Sequence, residues 1–372
     1  MLQLHSALLS VFTIGQSWGQ PNALNDELAA QTRAHKLPGM VAVVFNKDSV
    51  RATGAAGVRE IGKPAEVAVT DRFHIGSNAK AMLATVAGIL VEEGKLSWDL
   101  PAAELLQIRN EDPRYARVTL TDLLNHHAGL PAFEDDKAPE WKAWIANGAT
   151  PGRQPLERFS RWILARPPAA PPGTKFLYSN AGYSVAAAIA EKVTGVEWKV
   201  LLARRLFAPL NMDADFGNPA ANRSDQPQGH YETKRGLKVQ DPNESIPAFI
   251  QPAGDVQVSI VEYVKFLQLH LRGLAAVDGT LLKSSTIRRM HTPTDKMGFG
   301  WKISDIRGDA ASFHTGSADT FYAIATLVPA RDIGVAVFAN AGGGRAEAAC
   351  VAETKALLTR FIDPPADASK RK

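Results

Sequence analysis

The chain holds one cysteine, Cys350, in 372 residues. No intrachain disulfide can therefore form, and no thiolate set is available for a structural metal. Cys350 lies in the helix-like stretch Arg345–Glu353 and reads as a small buried apolar residue. No apolar run is long enough to span a bilayer as a helix. Blocks of positive charge are missing as well. The net charge is only +4, and the one basic run is the last three residues, which speaks against nucleic acid as a partner. His126 and His127 are adjacent, and neighbours on one backbone rarely ligate one ion, so no metal is expected there. Gly342-Gly343-Gly344-Arg345 lacks the Gly-Lys-Ser/Thr of a phosphate loop, and no cofactor is expected. No helical or propeller repeat is visible, and nothing in the sequence sets an oligomeric state. No lysine or arginine precedes Arg33, so the basic start of a signal peptide is absent. Ala7–Ile14 nevertheless has the length of a signal-peptide core, and Ser17-Trp18-Gly19 offers small residues at cleavage spacing. Residues 1–19 are therefore expected to be a signal peptide, and the protein periplasmic or secreted. The alternative is a cytoplasmic protein whose N-terminal helix packs on the domain.

What is present is an ordinary globular composition, 45% hydrophobic and 22% charged, in a chain long enough for one large domain or two lobes. Its most informative stretch is Ser77-Asn78-Ala79-Lys80, which opens the uncharged run Ala81–Val91. That run is apolar on every face and predicts a buried helix. Residues three apart share a helix face, so the Lys80 amine can reach the Ser77 hydroxyl. Burial disfavours an ammonium, and a neutral lysine can take a serine's proton. Read alone, the pair serves equally as an N-cap serine with a solvated lysine. The same Ser-x-x-Lys spacing recurs, without meaning, at Ser369 and Lys372 in the charged tail.

Two further motifs add weight. Tyr178-Ser179-Asn180 follows the turn Pro171–Thr174 and leads into a predicted helix over Ala181–Val193. A phenol can relay a proton, and an amide can orient a carbonyl. His314-Thr315-Gly316-Ser317 ends a short β-like segment, Ala311–Phe313. Gly316 would let a substrate approach the backbone closely, and an N–H after it could complete an oxyanion hole with the N–H of Ser77.

In this order and at this spacing, the motifs resemble those of the serine β-lactamase and penicillin-binding-protein superfamily. Tyr-Ser-Asn brings the chain nearer to class C β-lactamases, D-alanyl-D-alanine carboxypeptidases, family VIII esterases and D-amino-acid peptidases. Leu123–Pro131, Pro172–Leu177, Gln251–Asp255 and Gly298–Trp301 resemble segments of the same group, so the likeness runs from about Asp26 to about Ile362. The resemblance implies an acyl-enzyme serine hydrolase. Ser77 would be the nucleophile, Lys80 its base and Tyr178 the proton relay. Asn180 would hold the substrate carbonyl. His314, Thr315 and Gly316 would face the cleft, and Ser317 would give the second oxyanion N–H. An ester, peptide or β-lactam is the implied substrate. An esterase or D-amino-acid peptidase is favoured over a class C-like β-lactamase, because many members carry lysine where His314 stands. Histidine is mostly neutral at neutral pH and would grip a carboxylate better in mild acid. A second departure is Asp319-Thr320, where relatives usually have proline and glycine. Asp319 could favour a substrate amine or be a solvated turn residue. A reading of another class is a non-catalytic penicillin-binding-like sensor or scaffold.

Strands are predicted at Met40–Phe45, Val50–Val58, Gly298–Ser304, Phe321–Val328 and Ile333–Ala339, and helices at Leu24–His35, Ile260–Leu271 and Ala346–Phe361. Strands at both chain ends with helices between them imply an α/β chain of the α+β type. It would have one antiparallel, β-lactamase/transpeptidase-like sheet flanked by helices, with an inserted all-helical lobe. The expected boundaries are an α/β lobe over about 20–76 and 287–365, a helical lobe over about 77–286, and a charged tail over 366–372. No further C-terminal β-domain is expected.

Overall fold

A computed structural model describes residues 22–147, 155–221 and 223–362. The expected signal peptide and the charged tail lie outside the described residues. The chain opens with helix α1 (Asn25–His35), then strands β1 (Gly39–Phe45), β2 (Val50–Gly57) and β3 (Arg72–His74), then helix α2 (Ala79–Glu92). Strands β4 (Ala214–Asp215), β5 (His230–Thr233), β6 (Gly236–Val239) and β7 (Gln257–Ser259) fall among helices in the middle of the chain. Strands β8 (Lys302–Ile306), β9 (Asp309–Ser317), β10 (Tyr322–Val328) and β11 (Ile333–Ala339) precede the closing helix Gly344–Ile362.

Six strands form one antiparallel sheet in the order β2-β1-β11-β10-β9-β8, so N- and C-terminal segments meet at its centre. β1, β10 and β11 are buried at every residue. Their unbroken apolar runs follow from burial on both faces. Met40, Ala42 and Val44 pack with Leu28 of α1 and Leu357 of the closing helix. Val41, Val43 and Phe45 point the other way, into the large core that holds α2. Alternation along a strand divides one sequence between two cores. Cys350 belongs to the first of these and is buried.

The segment between the sheet halves is mostly helical, but it also carries the three-stranded sheet β3-β7-β4 and the hairpin β5-β6. These strands are two to four residues long, too short for a periodic signal, and the expectation of a wholly helical insert is corrected here. At the start of helix Ile260–Leu274, Ser259 and Glu262 have the spacing of a capping box, but only half of it is made. The Ser259 hydroxyl accepts from the Glu262 N–H, while the Glu262 carboxylate accepts from the Asp213 N–H and so turns away.

Candidate active site

Twelve of the fourteen residues of α2 are buried, and Lys80 is among them. Ser77 stands just ahead of the helix, in a 3-10 turn at Gly76–Asn78, rather than in its first turn as predicted. The turn is held by close packing against β9. Gly76 has φ +49°, and a Cβ added there would lie 2.6 Å from the Ser317 nitrogen. A Cβ on Gly316 would lie 1.9 Å from the Ile75 carbonyl oxygen. The space that Gly316 opens is thus filled by the backbone beside Ser77. This corrects the expectation that it is left for a substrate.

Lys80 Nζ lies 2.9 Å from Ser77 Oγ, 2.7 Å from Asn180 Oδ1 and 2.7 Å from the Ala253 carbonyl oxygen. Asn180 Oδ1 and the Ala253 oxygen can only accept. A neutral amine has two N–H groups, and these two acceptors use both. Its lone pair is then left for the hydroxyl of Ser77. Burial pushes the Lys80 pKa down to about 7, helped by the positive charge of Lys302 and opposed by Glu134. Deprotonation near neutrality is what a lysine base requires.

The Tyr178 hydroxyl donates to Ser77 Oγ at 2.9 Å. Burial drives the Tyr178 pKa far upward, the Ser77 hydrogen bond pulling it back, so Tyr178 is a neutral phenol able to pass a proton on. Its ring lies 4.3 Å from that of His126, centroid to centroid. His126 is fixed in turn by the Ser179 N–H, which donates to its Nδ1. Asn180 begins the helix Asn180–Thr194, capped by Ser179. Its Nδ2 donates to the Phe133 carbonyl and its Oδ1 accepts from Lys80. As it stands, the Asn180 amide orients the lysine, a duty additional to the expected hold on a substrate carbonyl.

β9 runs further than the sequence suggests, through His314, Thr315 and Gly316 to Ser317. His314 is buried, and its Nδ1 is 2.7 Å from the Thr315 carbonyl oxygen. Burial, then the charges of Lys80 and Lys302, push its pKa down to about 3 against the hydrogen bond to Thr315. The expectation that His314 becomes a cation in mild acid is therefore overturned. Motif chemistry alone could not reveal its burial. Thr315 and Ser317 line the cleft beside Ser77, Tyr178 and Asn180. The cleft has a volume of about 1070 Å³.

Several contributors were outside the predicted set. Ala253 lies in a segment singled out only for its likeness to relatives, and its carbonyl holds Lys80. Glu134 and Lys302 line the cleft with opposite charges. His74 accepts from the Gly76 N–H at 3.2 Å and faces Asp255, which also accepts from Lys199. Such contacts bridge up to 181 residues of sequence. His126 and His127 turn to different partners, Tyr178 and Asp295. Among the described residues no group of His, Cys, Asp and Glu could hold a metal ion, and no helix is long and apolar enough to cross a membrane.

A sequence model of the family described as Beta-lactamase matches residues 24–358. Penicillin-binding protein 4 of Amycolatopsis lactamdurans is 27% identical over 83% of this chain and 82% of its own length. Unguisins hydrolase ungD of Aspergillus violaceofuscus is 25% identical over 82% of this chain, which spans only 58% of that protein. Among solved structures, the octameric penicillin-binding protein homologue from Pyrococcus abyssi superposes with a TM-score of 0.75 at 24% identity, over 90% of this chain and 76% of that one.

Proposed function

The chain belongs to the Beta-lactamase family, and from that premise we propose that it is a serine hydrolase working through an acyl-enzyme. The observation that carries this reading is the set of three partners of Lys80. Two pure acceptors occupy the N–H groups of a neutral amine and direct its lone pair at Ser77, 2.9 Å away.

In the proposed reaction the Ser77 proton passes to Lys80 Nζ as Oγ adds to the substrate carbonyl. The oxyanion rests on the N–H groups of Ser77 and Ser317. Removing one such donor typically costs about 2.7–4 kcal/mol of barrier. The close packing of Gly76 on the Ser317 backbone supports this pairing. As the tetrahedral adduct collapses, Tyr178 gives its proton to the leaving group and is reprotonated from Lys80. Water then attacks the acyl-serine as Lys80 takes its proton, and when that second adduct collapses Lys80 returns the proton to Ser77 Oγ and the acid leaves.

Within this class we favour an ester or D-amino-acid amide over a β-lactam. A buried neutral imidazole at 314 offers no cation to a β-lactam carboxylate. The apolar run Ala7–Ile14 supports a secreted or periplasmic enzyme, and Met1 on mature protein from its native host would refute that placement. The function is tested by assaying a short-chain p-nitrophenyl ester, nitrocefin and a D-Ala-D-Ala peptide side by side. Turnover of the ester or peptide, lost in Ser77→Ala, is expected. Turnover that survives Ser77→Ala would overturn the assignment, and a preference for nitrocefin would reverse the choice of substrate.

A further inference from the structure

We propose that the cleft selects acyl-transfer substrates carrying a protonated amine, held at Glu134, over those carrying a carboxylate. This deepens the reading above and rests on it.

The first observation is a reversal of charge. The whole chain is +4, but the cleft is lined by Glu134, Asp135, Asp136, Glu244 and Asp319 against two lysines, Lys137 and Lys302. Asp255 also lines it but is already matched by Lys199 and His74. Among the described residues, the carboxylates of Glu134, Asp136 and Asp319 make no hydrogen bond or ion pair. These carboxylates are exposed at the cleft, and a cleft lined mainly by one sign concentrates ligands of the other.

The second observation is independent. His314 is 1% exposed and is among the residues that line this cleft. Its Nδ1 lies 2.7 Å from the Thr315 oxygen, a pure acceptor, so Nδ1 carries the proton. Nε2 is then a bare lone pair, and it has no partner. At the position where many relatives carry a cation, this chain has a group that can only accept. It offers no positive charge to a carboxylate, and its free lone pair favours a donor.

Glu134 is the acid whose charge reaches the reactive centre, acting on both Lys80 and Tyr178. It raises the Lys80 pKa. A ligand ammonium at Glu134 would cancel that pull and keep the base neutral, whereas a carboxylate at Lys302 would remove the opposing charge and protonate it. Charge on the substrate therefore couples to the state of the base in favour of amines.

The test uses the full chain and three esters, D-alanine benzyl ester and its N-acetyl and N-succinyl derivatives, followed by release of benzyl alcohol. The expected order of kcat/KM is ammonium, neutral, carboxylate. Glu134→Gln should shrink the ammonium-to-neutral ratio about three- to tenfold. Added salt should shrink it too. Preference for the succinyl ester that disappears in Lys302→Gln would overturn the proposal, as would a ratio that Glu134→Gln leaves unmoved. Labelling by a fluorophosphonate is read on the same preparations. Enzyme that is labelled at Ser77 yet shows no amine preference overturns this inference alone. Enzyme that is neither labelled nor active on any of the three esters overturns the underlying reading as well.

Discussion

In the proposed reaction two side chains at Ser77, Lys80 and Tyr178, divide the work of moving one proton, and each is held by contacts that fix its role. Lys80 is fully buried and donates to two carbonyl-type oxygens, so its lone pair has one direction left. Lys80→Gln should leave the fold intact by circular dichroism and lower the acylation rate about 10²–10⁴-fold, the usual range for a positioned acid or base. Tyr178 donates to the same oxygen. In Tyr178→Phe, release of a poor leaving group such as an amine should fall about 10²-fold. Release of p-nitrophenolate, which needs no proton, should fall far less. Comparing the two substrates in stopped-flow assays separates the relay from simple packing. The Ser-x-x-Lys spacing made the pair visible in the sequence, since three residues on a helical path bring the groups together. The Ala253 oxygen was not legible, because it is a backbone atom 173 residues away with no chemical signature of its own. Nor was the neutrality of His314 in mild acid, which is set by its burial.

At the scale of elements, the site depends on one tight crossing. The end of β9 lies on the turn that carries Ser77, with Gly316 against Ile75 and Gly76 against Ser317. Gly316→Ala would drive a methyl group into a carbonyl at 1.9 Å. It should destabilise the protein by about 1–3 kcal/mol in urea titrations. It should also slow labelling of Ser77 more than a loss of stability explains, because the turn must shift. The long elements were legible from pattern. α2 reads as a buried helix from its uncharged run, and β11 spans Ile333–Ala339 as its apolar composition predicts. The end of β9 was not. His-Thr-Gly-Ser has poor strand propensity, and it is held extended by pairing of Thr315 with Ile324 and Gly316 with Ala323. The short β3-β7-β4 sheet escaped for the same reason, since its strands are made by tertiary pairing.

Across the whole molecule, burial of histidine sets a limit on acid tolerance. His126, His230, His270, His291 and His314 all have pKa values lowered chiefly by burial. His270 and His291 form a buried chain from Thr85 to Ser312, through contacts of 3.1, 2.9 and 2.7 Å. A histidine held neutral in the fold has a depressed folded pKa. Its contribution is complete above the unfolded value and is lost as pH falls below it. For His270 and His314, each pushed down to about 3, the loss between about pH 7 and about pH 5 is about 2 kcal/mol apiece. Urea midpoints should therefore fall steeply over that window, and His270→Gln should flatten the slope. A midpoint independent of pH there would show that these rings are not held neutral.

The most direct test is the rate at which an uncharged fluorophosphonate labels Ser77, followed by intact-protein mass spectrometry across pH. Labelling should rise with pH through a single inflection at about 7, the value to which burial brings Lys80, and vanish in Ser77→Ala. An inflection near the ordinary lysine value of about 10, or undiminished labelling of Ser77→Ala, would contradict the account.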